Sequence, residues 1–274
     1  MRRSGKPTCA GRDKAFWNAQ AEHFAQTRRV AIYDMLGHGG SSLSSEGGDL
    51  AEYSDQLLAL LDHLGLPPID LVGHSMGSLV ALEFALAHPH KVRRVVAMNA
   101  VFRRTQAQRH AVVGRAEALL ATGMSSGIEP TLERWFGNPV PAPMAQTADI
   151  VRRSLESAHP VGYPRAYMIF ATSDRRHDGR LEGLSMRAQF LTGEFDANSN
   201  PDMSRAMASQ APDRRAAVVA GQRHMMSMLA PDLVNAELGR FLDDTALAHV
   251  APREASALRT PCKRHGSVAD RADA

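Results

Sequence analysis

Two kinds of hydrophobic spacing alternate along most of this chain. Short apolar runs at residues 30–33, 69–72 and 92–98 are bounded by turn or charged residues and read as strands. Between them, residues 50–64 carry Leu57, Leu58, Leu60, Leu61 and Leu64 at helical spacing and stop at Gly65. A second helical pattern runs over 79–87 and closes near Pro89, and a short one begins at Phe16-Trp17-Asn18-Ala19-Gln20. Strand–helix alternation of this kind predicts a parallel sheet whose ligands sit at the C-terminal ends of the strands. Asp34, Ser75 and Asn99 fall at such ends.

The alternation stops near residue 106. Helical patterns follow at 106–122, 129–136, 148–158 and 161–172, with a Pro-rich connector at 138–143. A helical insertion between sheet strands predicts a cap over the site. Strand patterns return at 188–192 and 216–219, each followed by a helix, at 204–210 and 231–242. The expectation is an α/β chain with a mostly parallel sheet: a core over 15–104 and 185–244, and a helical cap over 105–184. An irregular N-terminus over 1–14 and a disordered tail over 245–274 complete it.

Composition narrows the function classes. The 274 residues, 44% hydrophobic and 22% charged, suffice for one large domain with a sizeable core. The net charge is +3 and the arginines are scattered, which reads as a solvated surface rather than a nucleic-acid footprint. Cys9 and Cys262 lie near the two ends, so no disulfide framework is expected and a reducing cytoplasm fits. No apolar run approaches the roughly 20 residues of a membrane span, and no apolar stretch follows the basic N-terminus to make a secretory signal. Zinc-type ligand spacing, a P-loop and Gly-X-Gly-X-X-Gly are absent, so no metal or cofactor is expected.

The chemistry concentrates at Val72-Gly73-His74-Ser75-Met76-Gly77. A strand, Gly-X-Ser-X-Gly and then a helix make a sharp turn that lifts the central hydroxyl above the sheet edge. Small residues two positions either side avoid a clash, and the Met76 N–H, at a helix N-terminus, is aimed where an oxyanion would form. A serine nucleophile needs a base, and the base needs an orienting carboxylate. Asp196 directly follows one late strand, and His224 lies between the last strand and the closing helix; these are the expected acid and base. Glu194 is the rival acid. His38 sits in a Gly/Ser loop and reads as solvated rather than catalytic. His74 is expected to pack across the turn, and Met225, Met226 and Met228 to pack around the histidine loop. Trp135 and Phe136 are candidates to line the pocket, and Arg134, Arg152, Arg153 and Arg165 to bind a substrate carboxylate.

Together with Tyr33-Asp34-Met35-Leu36-Gly37-His38-Gly39-Gly40-Ser41, Gly193-Glu194-Phe195-Asp196 and Gly221-Gln222-Arg223-His224, these motifs resemble the α/β-hydrolase superfamily over about residues 16–243. Within it, the segments at 115–124 and 132–136 resemble the 3-oxoadipate enol-lactonase-like branch. The resemblance implies cofactor-free hydrolysis of a small ester or lactone by Ser75, Asp196 and His224. Two other uses of the site stand beside it: a weakened hydrolase-fold protein that binds a small molecule, and acyl transfer or perhydrolysis on the same residues.

One departure from the family concerns the N-terminus. The family opens with more strands and a His-Gly loop that supplies a second oxyanion N–H. Here only fifteen residues precede Phe16, with Thr8-Cys9 in the His-Gly place. Loss of one oxyanion donor typically costs about 2.7–4 kcal/mol of transition-state stabilisation. Either this is a short form whose exposed sheet edge is covered in a homodimer, or the true start of the chain is missing or altered.

Overall fold

The computed structural model describes residues 8–11, 14–124 and 127–244. In chain order the elements are β1 (Thr8–Gly11), α1 (Asn18–Ala25), β2 (Val30–Tyr33), α2 (Leu50–His63), β3 (Ile69–His74), α3 (Met76–Ala87) and β4 (Val92–Met98). Then come α4 (Gln106–Thr122), α5 (Ile128–Phe136), α6 (Ala145–Glu156) and α7 (Gly162–Thr172). The last elements are β5 (Arg187–Gly193), α8 (Pro201–Gln210), β6 (Arg214–Val219), α9 (Met226–Leu229) and α10 (Pro231–Asp243). The strands pair in parallel in the order β2-β1-β3-β4-β5-β6.

The alternating face preference of strand residues builds two cores, one on each side of this sheet. Leu71, Val95, Ala97 and Phe190 pack under α2, α3 and α8. Their neighbours Val72, Val96, Met98 and Leu191 pack on the other face with Phe24, Leu238 and Phe241. β3 is central and buried along its length, which is why it reads as a run. β6, at the sheet edge, alternates between exposed and less exposed positions. Helix starts follow local chemistry: Asp49 and Asn200 cap α2 and α8, and Thr105 with Gln108 forms a capping box on α4.

The irregular reading of residues 1–14 is corrected at Thr8–Gly11. These four residues form a strand inserted between β2 and β3 and paired with both. Backbone pairing on two sides holds a segment that has no apolar run to betray it. Thr8 and Cys9 therefore stand at the start of a strand, not in the loop after one; that loop, Arg12-Asp13, and the expected tail over 245–274 lie outside the described residues.

The chain runs from β1 to β2 on one side, then crosses back to β3 on the other. The C-terminal ends of β1 and β3 thus flank the point where strand order reverses, where a crevice opens in sheets of this type. The helices α4 to α7 cover that end.

A charge cluster around the buried Glu83 and His177 fastens the end of this helical cap to the core. Glu83, on α3, accepts from Arg176 Nη2 at 2.8 Å and Arg180 Nη1 at 2.9 Å, and its Oε2 lies 3.1 Å from His177 Nε2. Burial pushes the Glu83 carboxyl up, but His177 and the two guanidiniums outweigh it and hold it well below the usual carboxylate range. A carboxyl depressed in the folded state contributes stability above its unfolded pKa and loses it as pH falls further. Glu83→Ala is expected to cost about 3 kcal/mol by leaving the buried His177 unpaired and two cations facing one another. Urea unfolding checks this: the wild type should lose stability steeply below about pH 4.5, and the variant should show a flatter acid limb.

Candidate active site

Ser75 sits between β3 and α3 with φ +54° and ψ −120°, a strained conformation for a side chain with a Cβ. The turn closes this tightly because position 73 is glycine: a Cβ on Gly73 would lie 2.1 Å from the Gly77 carbonyl oxygen. The Ser75 N–H donates to the Met98 carbonyl at 2.9 Å, tying the turn to β4. Met76, the first residue of α3, carries one of the N–H groups that a helix leaves without an intrahelical acceptor, and it lines the pocket in front of Ser75.

Three elements far apart in sequence converge here. His224 Nε2 is 3.2 Å from Ser75 Oγ, and His224 Nδ1 is 2.8 Å from Asp196 Oδ2. His224 is 1% exposed and Asp196 2%, so the pair lies away from bulk water. The loops that carry them interlock: Phe195 N–H donates to the Gln222 carbonyl at 2.8 Å, and a Cβ on Gly193 would lie 2.5 Å from that same oxygen. His74 packs beneath, 2.9 Å from the His224 carbonyl oxygen and against Phe16.

Asp196 is held by donors on every side. Asn99 Nδ2 donates to its Oδ2 at 2.7 Å and Ser199 Oγ at 3.1 Å; the Asn198 N–H donates to Oδ1 at 2.8 Å. Burial pushes this carboxyl up, yet the His224, Asn99 and Asn198 contacts outweigh it and hold it below the ordinary range. Asn99 reaches it from the C-terminal end of β4 with φ +51°. Its place at a strand end was legible in the sequence; its partner was not.

The pocket above Ser75 spans about 540 Å³ and opens to solvent, with Met35, Trp135, Tyr163, Tyr167 and Phe170 among its walls and Arg134, His38 and Asn198 among its polar positions. Trp135 stacks on His224, ring centroids 5.4 Å apart and planes 25° apart. Phe136 does not line the pocket. It is fully buried in the core, because adjacent residues on α5 face about 100° apart and only Trp135 can look inward. Glu194 points elsewhere and accepts from the Gly221 N–H. His38 stands at the pocket, its Nδ1 3.0 Å from the Leu36 carbonyl oxygen. Met225 and Met226, which follow His224 in the chain, are buried in the core, and Met228 packs against it half-buried.

Of the four candidate arginines, three are turned to other work. Arg152 pairs with Glu129 and Asp149, Arg165 donates to the Ser44 carbonyl and pairs with Glu46, and Arg153 is exposed. Arg134 alone of the four lines the pocket. Its Nη2 donates to Thr131 Oγ1 at 2.6 Å, and burial pushes its guanidinium down from the ordinary value.

A family model described as the alpha/beta hydrolase fold matches residues 8–126. Across 84% of the chain and 86% of the relative, the sequence is 35% identical to the (E)-2-((N-methylformamido)methylene)succinate hydrolase of Acinetobacter baylyi. The chain belongs to the α/β-hydrolase family. This α/β-hydrolase is also 26% identical to the 3-oxoadipate enol-lactonase 2 of A. baylyi, over 68% of each chain. Among solved structures, a thermophilic esterase from Thermogutta terrifontis superposes with a TM-score of 0.77 at 26% identity, covering 87% of this chain and 90% of that one. The enol-lactonase of Burkholderia xenovorans LB400, at 20% identity, shares the fold with a TM-score of 0.78 over 89% of this α/β-hydrolase and 94% of that chain. Among the described residues no cluster of His, Cys, Asp and Glu could hold a metal ion, and no helix is long and apolar enough to cross a membrane.

Proposed function

We propose that this α/β-hydrolase cleaves a small carboxylic ester or lactone through an acyl-enzyme on Ser75. The observation that carries the reading is the unbroken chain Ser75 Oγ–His224–Asp196, at 3.2 and 2.8 Å, facing a pocket. The Ser75 oxygen attacks the substrate carbonyl while His224 Nε2 takes its proton. The Met76 N–H donates to the oxyanion that forms. Collapse of the tetrahedral species breaks the ester C–O bond, and His224 returns the proton to the leaving oxygen; from a lactone, that oxygen stays tethered to the acyl chain. Water then attacks the acyl-enzyme with His224 again as base, and the carboxylate leaves. Asp196 keeps the imidazole in the tautomer whose Nε2 is free to accept.

Arg134 gives the pocket a preference for acidic substrates. It is a half-buried cation in a mostly aromatic wall, with a hydroxyl rather than a carboxylate as its hydrogen-bond partner. Two of the similar proteins agree in kind: the 35%-identical relative is named for a succinate, and the T. terrifontis esterase was solved with malate bound. Arg134→Ala is expected to raise KM for carboxylate-bearing esters about 10- to 100-fold and to leave neutral esters within about twofold. Steady-state kinetics on matched acidic and neutral p-nitrophenyl esters decides it, and equal effects on both would remove the acidic-substrate reading.

A further inference from the structure

The two oxygens of the Asp196 carboxylate are held by different means. Oδ1 accepts from the backbone N–H groups of Asn198 at 2.8 Å and Ser199 at 3.3 Å, within its own loop. Oδ2 is the oxygen that His224 Nδ1 reaches, and it also accepts from Asn99 Nδ2 at 2.7 Å. The Ser199 hydroxyl lies 3.1 Å from Oδ2, but it has one proton and a nearer acceptor, the Asn99 carbonyl at 2.7 Å. Asn99 is therefore the side chain committed to holding Oδ2 against the imidazole.

This placement is unfavourable for the fold. Asn99 follows β4 fully buried at φ +51°, in the left-handed region that residues with a Cβ seldom adopt. Its N–H donates to the Leu191 carbonyl at 2.8 Å, which ties that backbone to β5. Nδ2 faces Asp196 Oδ2, with Thr192 Oγ1 3.5 Å away, and among the described residues Oδ1 has no hydrogen-bond partner. A buried amide oxygen left unpaired is a penalty that stability alone does not explain. Turning the amide over would set Oδ1 against the carboxylate, so charge fixes its orientation: one hydrogen bond is forgone to aim the NH₂ at Asp196. A charge-assisted bond to the oxygen that orients the base restricts rotation of the carboxylate and hence of the imidazole.

We propose that Asn99 is a positioning residue for the reaction: its amide fixes Asp196 Oδ2 against His224 Nδ1, so that the imidazole is aligned on Ser75. The proposal rests on the hydrolase reading for that reaction, though not for the contact itself. Among the described residues the titratable group facing Asp196 is His224, with the His74 ring 4.9 Å behind it.

Two variants separate this role from packing. Glycine adopts φ +51° freely, so Asn99→Gly removes the amide without straining the backbone. It is expected to lower kcat for p-nitrophenyl acetate about 10- to 100-fold with KM within about twofold, and to slow phosphonylation of Ser75 by a fluorophosphonate to the same extent. Asn99→Asp is isosteric and tolerates the same backbone. It sets two carboxyls within hydrogen-bonding distance, where they share one proton. While the pair holds that proton, the new O–H donates to Oδ2 as the amide did, and kcat/KM should stay within about tenfold of wild type. As pH rises and the proton is lost, activity should fall along a limb absent from the wild type. Proton NMR supplies a readout free of turnover: the low-field resonance of the His224 Nδ1 proton should move or broaden in Asn99→Gly. Thermal melts confirm that each variant is folded. Unchanged kcat and labelling in folded Asn99→Gly, or an Asn99→Asp profile with no added limb, would overturn the proposal. A wild type that takes no label and turns over no ester would remove the hydrolase reading, and the resonance then decides: moved in Asn99→Gly, the hold on Asp196 stands; unmoved, it falls as well.

Discussion

Ser75→Ala is expected to lower kcat for ester hydrolysis by about 10⁶-fold while leaving the fold and substrate binding in place. The size follows from what the hydroxyl does. In the proposed reaction it is the atom that forms the covalent bond, and its removal would leave His224 with no proton to take, so that the residual rate would come from binding and the oxyanion donor alone. The stability cost is small. Among the described residues the side chain's hydrogen-bond partner is His224 Nε2, and the turn itself is held by the Ser75 N–H bond to Met98, which alanine keeps. Steady-state kinetics with a thermal melt alongside separates loss of the nucleophile from loss of the fold. A variant that retains more than a few per cent of wild-type kcat would mean another group does the attack.

Asp196→Asn is expected to lower kcat by about 10⁴-fold, with a smaller effect on KM. The environment explains why so conservative a change does so much. Every neighbour of the Asp196 carboxylate is a donor: the His224 ring N–H, the Asn99 amide, the Ser199 hydroxyl and the Asn198 N–H. An amide at 196 must point its own NH₂ at one of them. Pointed at His224, it favours the tautomer with the proton on Nε2, which cannot accept from Ser75. The same contacts hold the wild-type carboxyl below the ordinary range, so it stays ionised as the medium is acidified. The wild-type pH–rate profile should therefore show no step from this carboxyl in the ordinary carboxylate range. Steady-state kinetics on the two proteins, with the pH dependence of kcat/KM for the wild type, checks both points; a carboxyl ionisation in that range, at unchanged fold, would contradict the role given to Asp196.

Much of this was legible in the chain because the chemistry depends on topology. Buried parallel strands must be apolar on both faces, so β3 and β4 stand out as runs. The elbow spacing is dictated by a close backbone approach at Gly73, and the acid and base must lie on loops at the same sheet edge. Histidine is common here, twelve in all, and only its position after the last strand singled out His224. What escaped the sequence was set by contacts between distant elements. β1 has no hydrophobic signature, since its two neighbours supply its bonds. Asn99 reaches Asp196 from the neighbouring strand. Phe136 and Trp135 are equally aromatic, and only the direction of α5 sends one to the core and the other onto His224. Arg134 became distinct from Arg152 and Arg165 once those two were seen beside Glu129 and Glu46.

The most direct test of the central claim is the intact mass of the purified protein after brief exposure to a fluorophosphonate, with Ser75→Ala and His224→Ala beside it. Activated Ser75 predicts one phosphonyl adduct on the wild type, mapped to the peptide containing Gly73-His74-Ser75-Met76-Gly77, with none on Ser75→Ala and a much slower reaction on His224→Ala. A folded wild type that takes up no label, or a label that persists on Ser75→Ala, would contradict it.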